Sequence, residues 1–146
     1  MQQDSGITAV AHAIQLSVAP VFLLSGIGAM LAVMTNRLSR VIDRARVLEG
    51  QLPGSADEAA ALHRQLATLS RRAKLISASI ALCTTTALLV CAVIATGFLS
   101  AVLLGFDASV SVAILFIAAM VTFFSGLVLF LREIFVATAN LRIGPH

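Results

Sequence analysis

The chain has 146 residues, a length suited to one domain. Hydrophobic residues make up 59% and charged residues 12%, against roughly 25% charged in an ordinary soluble domain, and mean hydropathy is +0.99. A soluble fold of this size cannot hide so much apolar surface. The composition therefore excludes a soluble enzyme, a disordered chain and a disulfide-rich secreted module, and leaves the polytopic helical membrane protein.

Three stretches carry no formal charge: Ser5 to Asn36, Leu75 to Phe106, and Ala108 to Leu131. A spanning helix needs about 20 predominantly apolar residues, so each stretch supplies one span. We place the spans near residues 7–36, 75–104 and 109–135. The first stretch has no Lys or Arg before it and is too long for a signal h-region, so it reads as a retained helix. Pro20 lies mid-span, where its ring removes a backbone hydrogen bond, and marks a candidate kink or gate. Gly26 and Gly28 would let another helix approach closely.

Between the first two spans, residues 37–74 read as a helical hairpin. Leu38, Val41, Ala45, Leu48 and Leu52 recur at steps of three and four, as do Leu62, Leu66, Leu69, Ala73 and Ile76. This is the a/d seam of coiled-coil packing. Pro53-Gly54 breaks the helix, and Ser55 with Glu58 forms the S-x-x-E box that starts the next one. The seam pairs across the turn as Leu48 with Leu62, Ala45 with Leu66, Val41 with Leu69 and Leu38 with Ala73, the residue numbers totalling 110 or 111 each time. The register continues into the spans as Met34 with Ile76 and Leu31 with Ile80, so two long helices run from bilayer into hairpin without a break. About 16 residues per arm project it roughly 25 Å.

In the second span, Cys83 and Cys91 lie eight apart on roughly one helix face and read as small hydrophobes, and the run Thr84-Thr85-Thr86 supplies hydroxyls. In the third, Ser111, Leu115, Ala118, Thr122, Ser125, Leu129 and Glu133 share a small, weakly polar face, and Ala118, Thr122 and Gly126 form a small-xxx-small run. That face serves either helix packing or a pore-lining, subunit-facing role. Arg132 and Glu133 close the span; charges at that depth are expensive unless paired or wet, or they snorkel to the headgroups.

Eight of the ten basic residues fall between spans one and two, and the other two, Arg132 and Arg142, flank the end of span three. The positive-inside rule then puts the N-terminus outside and the hairpin and C-terminus in the cytoplasm. This accounts for the isoelectric point of about 9.7 without nucleic acid; anionic headgroups are the fitting partner for the excess charge.

The run from Ala19 to Gly28 (Ala-Pro-Val-Phe-Leu-Leu-Ser-Gly-Ile-Gly), followed by Asn36-Arg37-Leu38-Ser39-Arg40-Val41-Ile42-Asp43-Arg44-Ala45-Arg46, resembles a bacterial membrane family, the domain of unknown function 2721. The resemblance covers most of the chain and implies a small three-span protein of the bacterial inner membrane. It brings no catalytic residues.

No C-x-x-C, P-loop, H-E-x-x-H or hydrolase elbow is present, and His12, His63 and His146 are scattered, so we expect no enzyme, no metal and no cofactor. The fold class expected is an all-α membrane protein, one domain over 1–146, of three transmembrane helices with a cytoplasmic antiparallel helical hairpin. Its expected partner is itself, in a homo-oligomer packed through Gly26, Gly28, Ala118, Thr122 and Gly126. The leading functional reading is an ion channel or pore passing a permeant ion. Its lining and mouth would be Asn36, Arg37, Arg40, Asp43, Arg44, Thr84, Thr122, Ser125, Arg132 and Glu133. The alternative is a membrane scaffold whose hairpin binds a protein partner or anionic lipid.

Overall fold

A computed structural model describes residues 2–51, 53–102 and 109–139. They form three helices: α1 (Gln2–Glu49), α2 (Ala56–Val102) and α3 (Ser109–Ala139). All three are long and apolar enough to cross a membrane. Each predicted span and its hairpin arm thus form a single helix: α1 continues unbroken through Pro20 and on to Glu49, and α2 carries the residues of the second predicted arm and span together. The connection around Asp107, together with Leu52, Arg142 and His146, lies outside the described residues.

Each helix buries one stripe, and the stripes repeat every seven residues. On α1 the buried residues are Ile27, Met34, Val41 and Leu48; on α2 they are Ile76, Cys83 and Val90, flanked by Ser79, Thr86 and Val93. On α3 they are Ala119, Gly126 and Glu133, with Phe130. A 3.5-residue repeat keeps one face of a helix turned to its neighbours. Elsewhere the helices stay apolar and exposed, at Phe22, Val33, Leu88, Ile114, Phe124 and Phe135 among others, the pattern expected of surfaces that face lipid. Cys83 is buried and Cys91 exposed, which corrects the expectation of a shared face. Eight residues advance about 80° beyond two full turns at 3.6 residues per turn, enough to carry Cys91 out of the stripe.

The chain divides into two compact units, Met1–Met30 with Leu82–Phe124, and Leu31–Ala81 with Ser125–His146. In the first, the interior is Ile27, Cys83, Thr86, Val90, Val93 and Ala119. A polar contact crosses it: Thr86 Oγ1 and Thr122 Oγ1 are 2.9 Å apart. Each hydroxyl also lies within reach of a carbonyl of its own helix, Leu82 for Thr86 and Ala118 and Ala119 for Thr122. A hydroxyl has a single proton, so one threonine donates across to the other helix and the second donates back to its own.

The second unit holds the helical hairpin. Its two arms run antiparallel: one cleft between them is walled by Arg37, Arg40, Val41 and Arg44 with Leu69 and Arg72, and another, further toward the turn, by Arg44 and Leu48 with Arg64, Gln65, Thr68 and Leu69. On the other side, Val41 and Ala45 share a groove with Leu66, Leu69 and Ala73. The seam is graded, with Val41, Leu48 and Ile76 buried and Leu38, Ala45, Leu62, Leu66, Leu69 and Ala73 half-buried. At the turn, Ser55 Oγ accepts the Glu58 N–H at 3.3 Å, and the Ala59 N–H reaches the Ser55 carbonyl at 3.0 Å. The Glu58 carboxylate does not close the box on Ser55. It accepts the N–H of Gly54 at 2.8 Å, one residue earlier, satisfying a donor that would otherwise face water.

Candidate functional site: a carboxylate held between two helices' arginines

The seven-residue stripe of α3 ends on Glu133, so the position that on other turns takes alanine or glycine here takes a carboxylate. Its side chain is fully buried. A buried charge persists only when it is paired and hydrogen-bonded, and the partners come from both other helices. Arg72 of α2 donates through Nε at 3.1 Å and through Nη2 at 2.9 Å, both to Glu133 Oε1. Arg37 of α1 places Nη2 at 3.2 Å from Oε2. That approach is an ion pair without hydrogen-bond geometry, since Oε2 accepts no hydrogen bond; it acts through charge alone. The Arg37 guanidinium also lies over the ring of Phe130, 5.4 Å from its centroid, within the range of a cation–π contact. Phe130 sits one turn before Glu133, so a single turn of α3 engages Arg37 twice.

The two guanidiniums are not equivalent. The Arg72 side chain is 23% exposed and that of Arg37 33%. Arg72 is the structural partner; Arg37 is the wetter one and opens onto the cleft it shares with Arg40, Arg44 and Arg72. Among the described residues, Arg40 and Arg44 have no carboxylate partner and both are exposed. Two carboxylates lie close by in sequence: Asp43, which is exposed and does not line this cleft, and Glu49, which lines the opposite groove with Arg46 and His63.

The sequence-derived candidates scatter over this framework. Arg37 and Glu133 are brought together; Arg40 and Arg44 stand beside them. Asn36, Asp43, Thr84 and Arg132 are exposed, and Ser125 is half-buried. Thr122 is half-buried and turned to Thr86, and Gly126 is buried within the chain. Ala118 and Pro20 are half-buried. Gly26 and Gly28 are exposed, and a Cβ built on either meets nothing within 4 Å, so none of the described residues packs closely on them. Sequence reasoning missed Arg72, Phe130 and Thr86. The signal for Arg72 was present: its number and that of Arg37 total 109, next to the 110 or 111 of the paired seam positions, so the two arginines stand at one level of the hairpin. Among the described residues no group of three His, Cys, Asp or Glu could hold a metal.

All-helical, with three membrane-length apolar helices and an internal charge cluster tying the three together, the chain has the make-up of a multi-pass membrane protein. The family model described as protein of unknown function (DUF2721) matches residues 17–143, and the chain belongs to that family. The match includes the Asn36–Arg46 segment, Arg72 and Glu133. No curated protein and no solved structure matches the chain.

Proposed function

We propose that the protein is a scaffold of the bacterial inner membrane. Its spans lie near 7–36, 75–104 and 109–135, its N-terminus is outside, and its hairpin, residues 37–74, stands in the cytoplasm. There it presents cationic side chains to anionic lipid or to a protein partner. The observation that carries this reading is the burial of Glu133 between Arg37 and Arg72. The clamp fixes the base of both hairpin arms to α3, as a platform requires, and it removes the buried Glu133 from the residues available to line a path. Thr122 is likewise engaged by Thr86.

The channel reading keeps one specific support. In the first unit α1 leaves Ser25, Gly26, Gly28 and Ala29 exposed, and in the second it leaves Ala32, Thr35, Asn36 and Ser39 exposed. Copies meeting through α1 would bring these small and hydroxyl residues around an axis. Planar-bilayer recording separates the two. A scaffold passes no current at any voltage or tension, whereas a channel passes ions with a conductance that changes in Asn36→Leu.

A further inference from the structure

Four guanidiniums, of Arg37, Arg40, Arg44 and Arg72, wall one cleft of about 430 Å³ between the hairpin arms, over an apolar floor of Val41 and Leu69. The adjoining cleft of about 310 Å³ shares Arg44, Leu69 and Arg72 and adds Arg64, Gln65 and Thr68. Among the described residues, the carboxylate paired with these guanidiniums is Glu133, which engages Arg37 and Arg72. Four cations against one anion leave a net charge of +3. Like charges gathered around one cleft repel. A fold that gathers four cations around one carboxylate gains from an external anion.

The geometry points to a phosphate group as that anion; this deepens the scaffold reading and rests on it. Arg37 and Arg72 are held in place by Glu133 and Phe130, so part of the cleft is pre-ordered. Arg40 and Arg44, one turn apart on α1, are free to close on the ligand. A planar guanidinium matches a carboxylate or a phosphate two oxygens at a time; a phosphate keeps further oxygens for a second and third guanidinium, which a carboxylate or chloride lacks. Thr68 and Gln65 extend the polar wall toward the turn. The phosphate belongs either to an anionic lipid headgroup at the membrane surface or to a soluble phosphate compound; the recognition chemistry is the same.

The test uses the full chain purified in a neutral, phosphate-free detergent. It has no Trp or Tyr, so binding is followed by calorimetry and by the shift of the helical circular dichroism melt. Inorganic phosphate and pyrophosphate are titrated at constant ionic strength into the wild type, Arg40→Gln/Arg44→Gln and, as a charge-matched control, Arg46→Gln/Arg71→Gln, whose residues do not line the cleft. The wild type and the control bind alike. The cleft variant binds more weakly by about tenfold or more for each guanidinium removed, and its melt no longer rises with phosphate. A second arm places the same proteins in phosphatidylcholine nanodiscs with and without phosphatidylglycerol and reads retained lipid by native mass spectrometry. Enrichment of phosphatidylglycerol in the wild type and control, lost in the cleft variant, assigns the site to lipid. Phosphate binding without that enrichment assigns it to a soluble ligand. Equal weakening in both variants, or no phosphate and no lipid preference in the wild type, overturns the inference. Since the detergent measurement does not depend on which way the hairpin faces, it stands or falls separately from the topology.

Discussion

At the scale of the residue, Glu133 decides the most. Breaking a buried ion pair from one side leaves an uncompensated charge and costs roughly 3–5 kcal/mol. Arg72 makes both hydrogen bonds to this carboxylate, and Arg37 makes none. Arg72→Ala is therefore expected to lose about 3 kcal/mol or more of stability, and Arg37→Ala about 1 kcal/mol, nearer the value of a partly exposed pair. Glu133→Gln combined with Arg72→Gln should recover part of the loss of Arg72→Gln alone. Denaturant melts of the four proteins, followed by circular dichroism in detergent, check the order. If Arg37→Ala costs as much as Arg72→Ala, the assignment of Arg72 as the structural partner is wrong. The sequence marked Glu133 and Arg37 because each is a charge at the edge of an apolar run. It did not mark Arg72, which stands in the Arg71-Arg72-Ala73-Lys74 cluster where nothing local distinguishes it from its neighbours. Thr84 and Thr86 are alike for the same reason: three consecutive threonines carry no local mark of which one faces in. The seven-residue repeat through Ser79 and Val93 carries it.

At the scale of the element, the hairpin was readable because its apolar positions keep one period on both sides of a breaker, and antiparallel helices meet at a constant sum of residue numbers. The register predicts that cysteines at Val41 and Leu69 crosslink readily and that cysteines at Val41 and Leu62 do not; both Val41 and Leu69 wall the same two clefts. Rapid oxidation of the second pair without the first would contradict the arrangement. The start of α2 was legible to one residue in its Ser55 cap. The turn of Glu58 toward Gly54 was not, because a capping box fixes which residue types occur and leaves open which N–H the carboxylate takes. The single continuous helices of 48 and 47 residues follow from the same register running on through Met34 and Ile76 without a Gly-Pro interruption.

The same scale separates the two groups of small residues named for packing. Gly126 is buried within the chain, so Gly126→Leu forces a whole isobutyl side chain into a closed interior and should destabilise the fold itself, typically by about 1–3 kcal/mol. Gly28 has open space at its Cβ. Gly28→Leu should leave the melt of the chain unchanged and reduce self-association if copies meet on that face of α1. Crosslinking and size-exclusion with light scattering, beside the melt, read the two effects apart. A loss of fold in Gly28→Leu, or an intact fold in Gly126→Leu, would reverse these roles.

At the scale of the whole molecule, two features meet: three apolar helices that leave most of their surface exposed, and a charge distribution with eight of ten basic residues between the first two apolar stretches. The first was legible in composition alone; the second sets the expected orientation, because cationic loops are retained on the cytoplasmic side. Function was less legible, since no motif of known chemistry is present and the charge cluster that organises the second unit draws one residue from each helix. The most direct measurement is the side on which the hairpin stands. In a variant with Cys83 and Cys91 replaced by serine and a single cysteine at Ser55, a membrane-impermeant maleimide applied to intact cells should leave the protein unlabelled and should label it fully once the cells are opened. Labelling of Ser55→Cys in intact cells, with a cysteine at Ile7 protected, would place the cationic hairpin outside and contradict the account.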